Sequence, residues 1–187
     1  MKIAIAQINT TIGDFDGNAD KIVDAWRRAD EAGAALVVLP ELALCGYPPR
    51  DLLAKPAFLR QNQEALESLT KRSGKAVAVV GYASANETDS GRPAQNSAAV
   101  LQDGQVAAVR HKTLLPNYDV FDEDRYFEPA TGNTPVEILG TKVGITICED
   151  IWNDEVFLHA RRYDRRPAEE LAAAGAELLL NLSASPW

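Results

Sequence analysis

The chain has 187 residues, 46% of them hydrophobic and 25% charged, a globular composition with length for one domain that buries roughly 70% of its unfolded surface. A formal net charge of −8 and a pI near 4.8 exclude unspecific binding to phosphate backbones, so nucleic acid and anionic membranes drop out as default partners. No run approaches the roughly 20 apolar residues of a membrane span, and the N-terminus lacks the apolar core of a signal peptide.

In chain order, residues 2 to 9 read as a strand. GDFDGN at 13 to 18 is a turn without a following GK[ST], so it is no phosphate loop; it leads into a helix over about 19 to 32, capped by Asn18. A strand at 35 to 39 precedes the irregular Gly46-Tyr47-Pro48-Pro49 segment, which cannot be a helix interior. Residues 56 to 73 read as a helix opened by Pro56, and KAVAVVGYAS as a strand. SAAVLQDGQVAAVRH predicts a hairpin turning at Asp103-Gly104, and VEILGTKVGITIC another near Gly140. A helix over much of 154 to 174 and a closing strand in AELLLNLSAS complete an α/β layered architecture with mixed sheet. The chain ends at an indole directly after an apolar strand, which reads as a fragment.

Three of these stretches end on reactive groups. Glu41 follows ALVVLP, where a carboxylate is either at a solvated strand exit or in a functional cleft. Lys112 follows VAAVRH and precedes two leucines with one threonine between, a surface lysine or a buried ammonium. Cys148 ends VGITIC; free cysteines commonly pack as small hydrophobes, but a strand-to-helix elbow exposes a nucleophile beside backbone N–H groups. Together they suffice for attack on an amide through a thioester: the ammonium favours the thiolate, and the carboxylate accepts the proton. Neither His111 nor His159 fits a cysteine-protease role, and both read as structural or surface residues. Cys45 and Cys148 form no disulfide framework or zinc-ligand spacing, so no metal is expected, and they suit a reducing cytoplasm.

Further candidates are weaker. Glu149 and Asp150 could orient a substrate amino group or simply favour a helix N-terminus. Tyr118 could line a substrate site or pack its loop, and Glu123 lies in an acidic loop with Asp119, Asp122 and Asp124. The basic run RRYDRRP at 161 to 167 reads as a solvated helix face.

The contexts LPELALCGYPPRDLL, RHKTLLPNYDVFDEDRYF and VGITICEDIW, with NLSASPW at the end, resemble the carbon–nitrogen hydrolase (nitrilase) superfamily over essentially the whole chain. Within it, they are most similar to the amide-hydrolysing N-terminal domains of glutamine-dependent NAD synthetases. The resemblance implies an αββα sandwich, incomplete here at the C-terminus, in which two such domains pack sheet against sheet. It carries the catalytic trio onto Glu41, Lys112 and Cys148, places a second carboxylate at Glu123, and assigns glutamine binding to Tyr118 and Ser185. A further lysine expected just beyond Ser185 is absent. It implies a homo-oligomer, no cofactor for the amide chemistry, and a downstream synthetase domain that uses ATP and magnesium; no SGG-type pyrophosphate loop is present in these 187 residues. Three functions follow as alternatives: the ammonia-generating part of such a synthetase, a free-standing amidase or nitrilase, and a non-catalytic assembly module. GYPPRDLL and LLPNYDVFDE favour the first over the second, and the intact trio disfavours the third.

Overall fold

The computed structural model describes residues 1–88, 90–153 and 162–185. Strands β1 (Ile3–Ile5), β2 (Leu36–Val38), β3 (Val77–Ala85), β4 (Ala94–Gln102) and β5 (Gln105–His111) form one sheet in that order. The first three are mutually parallel, and β4 and β5 complete it as antiparallel neighbours. A second sheet holds β6 (Val136–Ile138), β7 (Thr141–Ile147) and β8 (Leu178–Leu182), with β7 parallel to β8.

Alternation along the strands sorts the core into two layers. Val77, Val79, Ala98 and Val100 face Val143, Ile145, Ile147 and Leu180 across the sheet-to-sheet interface. Ala78, Val80, Ala99 and Leu101 face the other way, against Ile22 and Trp26 of α1 (Phe15–Glu31) and Leu66 and Leu69 of α2 (Pro56–Thr70). Helix α3 (Pro167–Ala173) packs on the outer face of the second sheet, where a Cβ on Gly144 would lie 3.2 Å from that of Leu171. The result is an αββα arrangement of helices, sheet, sheet and helix.

Both hairpins turn where expected. Asp103 and Gly104 take φ of 51° and 76°, and Leu139 and Gly140 take 50° and 76°, the paired left-handed residues that two-residue hairpins of this twist require. Other boundaries differ. Strand β1 is three residues long, because its partner β2 offers only three positions of register. Helix α1 starts at Phe15, and its cap is Asp14, whose side chain accepts the Gly17 N–H. Asn18 lies inside the helix, fully buried, exchanging hydrogen bonds with the Thr11 backbone and donating to the Leu44 carbonyl. Of the helix expected over 154 to 174, residues 154–161, with His159 and Arg161, lie outside the described residues, and 162 to 166 are irregular. Arg162 and Arg165 therefore do not form a helix face: Arg162 lies 4.8 Å over the Tyr118 ring, and Arg165 pairs with Glu170 and donates to the Ala130 carbonyl. No helix among the described residues is long and apolar enough to cross a membrane.

Candidate active site

Strand direction brings the reactive groups together. Because β3 is parallel to β2 and two antiparallel steps lead from β3 to β5, strands β2 and β5 end at the same edge of their sheet. Glu41 lies just beyond β2, Lys112 just beyond β5, and Cys148 just beyond β7; carboxyl ends of strands are where α/β folds place ligands. Close backbone approach sets the Glu41 segment: a Cβ on Gly81 of β3 would come within 2.3 Å of the Pro40 carbonyl and 2.5 Å of the Leu42 nitrogen.

Lys112 is fully buried, and its ammonium donates to Glu41 Oε1 at 2.7 Å and to Glu123 Oε2 at 2.8 Å. Glu41 Oε1 also accepts from Asn96 Nδ2 at 2.8 Å, and its Oε2 accepts the Ala184 N–H at 3.1 Å. Glu123 Oε1 accepts from the Tyr47 hydroxyl at 2.9 Å. Three charged groups with almost no solvent contact are costly unless each is paired, and here each is.

Cys148 adopts φ of 45°, an uncommon left-handed conformation for a residue with a Cβ, at the junction between β7 and the 3-10 turn Cys148–Ile151. Its Sγ lies 3.4 Å from Ser185 Oγ and 3.6 Å from Ser183 Oγ. Asp150 holds this elbow: Oδ2 accepts the Ile147 N–H, while Oδ1 accepts those of Thr113 and Leu114, directly after Lys112. One buried carboxylate thus ties the cysteine strand to the lysine strand. On the neighbouring side the Glu149 carboxylate accepts from the Tyr118 hydroxyl at 2.9 Å and from the Tyr163 hydroxyl at 2.8 Å.

Burial alone would strip the proton from Lys112, but the charges of Glu41 and Glu123, with Cys148 nearby, hold it well above the ordinary lysine range. Burial, opposed by Lys112 and reinforced by Glu41, pushes Glu123 up to about 7. Asp150 rises to about 6, again through burial, against the pull of its three backbone donors. The Cys148 thiol is pushed up by burial and then by the Glu41 charge, with Lys112 acting in the opposite direction. Lys112 thus favours the thiolate, as expected, but two carboxylates already engage its ammonium, and burial with the Glu41 charge outweighs it and the two serine hydroxyls on the sulfur. No group of three or more His, Cys, Asp and Glu side chains among the described residues is arranged to hold a metal ion.

Residues 2–186 match the family model of carbon-nitrogen hydrolases. The chain belongs to the carbon–nitrogen hydrolase family. It is 45% identical over 189 residues to a glutamine-dependent NAD(+) synthetase of Synechocystis sp., covering 99% of this chain and 34% of that protein. The corresponding protein of Thermotoga maritima is 42% identical, with 100% and 30% covered. A solved structure of a glutamine-dependent NAD+ synthetase from Acinetobacter baumannii superposes with a TM-score of 0.83 at 36% identity, over 99% of this chain and 32% of that one. An amidase from Nesterenkonia sp. superposes with a TM-score of 0.77 at 24% identity, over 100% of this chain and 66% of that one, a likeness of fold alone. The chain spans about a third of the length of the curated relatives it matches.

Against this nitrilase-type fold, the structure gathers Glu41, Lys112 and Glu123 into one ion cluster and sets Ser185 against Cys148. Tyr118 touches Glu149 and packs edge-on against Phe121 at 5.8 Å. His111 stays outside: half-buried, it pairs with Ser97 Oγ at 2.8 Å, and burial lowers its proton affinity. Asn96, Tyr47, Ser183 and Tyr163 enter the site without having been singled out in the sequence, and Asp150 enters as a backbone clasp instead of a substrate contact. Tyr47, Ser183 and Tyr163 lay inside quoted segments, Gly-Tyr-Pro-Pro, NLSASPW and RRYDRRP, whereas Asn96 carried no signal. A cavity of about 440 Å³ lies beside the cluster, lined by Tyr47, Phe121 and Glu123 among others, and does not reach Cys148.

Proposed function

We propose that this chain hydrolyses the side-chain amide of glutamine through a thioester on Cys148, and that the ammonia serves ATP-dependent amidation of deamido-NAD in a synthetase domain of the same protein. The observation that carries this reading is the buried Glu41–Lys112–Glu123 cluster at the strand ends beside the Cys148 elbow. Similarity to glutamine-dependent NAD synthetases supplies the substrate, ATP and magnesium belonging to the synthetase domain.

Glu41 accepts the Cys148 proton as sulfur attacks the amide carbon and the carbonyl electron pair moves onto oxygen. Lys112 and the Glu149 backbone N–H stabilise that oxyanion. Glu41 then returns the proton to nitrogen, the C–N bond breaks, and ammonia leaves a γ-glutamyl thioester. Water gives a proton to Glu41 and attacks the thioester carbon; collapse breaks the C–S bond, the proton passes back to sulfur, and glutamate departs. Glu123 holds Lys112 from the far side, so the lysine stays cationic through the cycle. Tyr118, Ser185 and Glu149 bind glutamine, the Glu149 carboxylate taking its α-ammonium. The reading extends to one catalytic domain over residues 1–187, working in the cytoplasm as part of a homo-oligomer.

The test is glutamine hydrolysis by the intact protein and its Cys148→Ala variant, with acid-quenched trapping of the thioester and a panel of other small amides. Loss of both thioester and turnover supports the reading, and turnover retained without Cys148 refutes it. Equal hydrolysis of many amides would instead mark a free-standing amidase.

A further inference from the structure

Asn96 of β4 has a feature that packing alone does not explain. It is buried, its Nδ2 donates to Glu41 Oε1 at 2.8 Å, and its Oδ1 has no hydrogen-bond partner among the described residues. Buried polar atoms are ordinarily paired, so an orphaned amide oxygen is a cost that has to be offset by something the same amide does. The orientation is forced, because the flipped amide would set its oxygen against a carboxylate oxygen. Asn96 is therefore held for its donor. Its backbone carbonyl meanwhile accepts the Lys112 N–H at 2.8 Å, so one residue spaces the carboxylate of Glu41 from the main chain of Lys112.

We propose, resting on Glu41 as the base, that Asn96 is a positioning residue that makes the two oxygens of Glu41 inequivalent and reserves Oε2 for the proton. Oε1 receives two short donors, one of them an ammonium, which spend its lone pairs. Among the described residues, Oε2 receives only the Ala184 N–H at 3.1 Å, on the segment that carries Ser183 and Ser185 to the Cys148 sulfur. The terminal torsion of a glutamate is broad and two-fold, so with Lys112 alone on Oε1 the carboxylate plane is held only loosely by the longer Ala184 bond on Oε2. A second donor, from a rigid strand, fixes that plane.

The intact protein, Asn96→Ala, Asn96→Asp, Glu41→Gln and the double variant Asn96→Ala/Glu41→Gln are compared in two assays. One is glutamine turnover; the other is the rate at which iodoacetamide alkylates Cys148, read by peptide mass mapping. Asn96→Ala is expected to lower kcat by about 10- to 100-fold, the range for losing one hydrogen bond to a charged group, with KM for glutamine within about twofold. It should change the alkylation rate in the parent and leave it unchanged when Glu41→Gln is already present, because positioning acts only through that carboxylate. Asn96→Asp keeps the shape but donates only when protonated, so it should lose more activity at pH 8 than at pH 5.5; it carries the same comparisons if the alanine variant does not fold. A wild-type kcat, a KM that rises as kcat falls, or the same alkylation factor in both backgrounds overturns the proposal. Turnover retained by Glu41→Gln refutes the base itself; inactivity of Glu41→Gln with wild-type kcat in Asn96→Ala refutes only the role of Asn96.

Discussion

Replacing Lys112 by methionine keeps an unbranched buried side chain but removes the ammonium that two carboxylates share at 2.7 and 2.8 Å. Removing one partner of a buried ion pair costs about 3–5 kcal/mol, since the remaining charge is left uncompensated. Against a total stability of roughly 5–15 kcal/mol, that is a large fraction. The pH dependence is the sharper signature. Glu123 already sits up near 7 with lysine present, and without the cation it must rise further. A carboxyl whose folded-state pKa lies above its unfolded value binds protons more tightly when native, so its favourable contribution is complete at low pH and is lost as pH rises through the folded value. Below about pH 7 Glu123 keeps its proton with or without the lysine, so the part of the Lys112→Met penalty that it carries should be small near pH 5 and 6 and grow as pH rises from about 7 to 8. Adding Glu123→Gln should recover about half of it at pH 8 and little at pH 5, because the amide carries no charge to strand. Equilibrium urea unfolding at pH 5, 6, 7 and 8, reading midpoint and slope, measures this directly. A penalty below about 1 kcal/mol, or one that does not change with pH, is what a solvated lysine would give and would refute the buried cluster.

Gly81→Ala should drive its new methyl into the Pro40 carbonyl and Leu42 nitrogen, displacing Glu41; a loss of about 1–3 kcal/mol in unfolding and at least about tenfold in turnover is expected. Asp150 is raised to about 6 from 3.8, so native protein holds that proton more tightly and stability falls as pH rises between those values, by up to about 3 kcal/mol. Asp150→Asn should remove that slope from a pH series of unfolding curves while losing the acceptor for the Ile147 N–H. Tyr163→Phe takes one of two phenolic donors from Glu149 and should raise KM for glutamine about five- to tenfold with kcat within twofold, as steady-state kinetics will show.

Features that depend on neighbours in sequence were legible, and those that depend on neighbours in space were not. Asp103-Gly104 announces its hairpin because left-handed pairs favour Asp and Gly, and Gly140 marks the second, whereas Leu139 beside it takes a left-handed φ that its residue type does not favour. Glu41, Lys112 and Cys148 stand out because a polar group closing an apolar run is costly wherever the chain goes. Asn18 and Asp14 are equally good capping residues on paper. The choice between them was made by Thr11 and Leu44, which claim the Asn18 side chain and leave Asp14 to the helix. Asn96 and Asp150 are invisible for a related reason: the clasp each makes reaches partners 36 to 55 positions away, and the one local bond of Asp150, from the Ile147 N–H, does not separate a buried clasp from a solvated turn.

The raised thiol of Cys148 and the pinned cation of Lys112 constrain one another. Burial and the Glu41 charge outweigh the pull of the shared Lys112 ammonium, so Cys148 holds its proton more tightly than a free thiol does. A resting thiolate would have made Glu41 idle in the proposed first step, whereas a thiol needs a base at the moment of attack, and in the proposed mechanism that base is Glu41. The same arrangement forbids Lys112 from serving as that base, since losing its proton would strand Glu41 and Glu123 together in a buried space. Histidine in its place would titrate near neutral pH and blur the two roles. In the proposed mechanism, fixing the cation with a second carboxylate keeps them apart: Glu41 is left to move protons, and Lys112 to hold charge on oxygen.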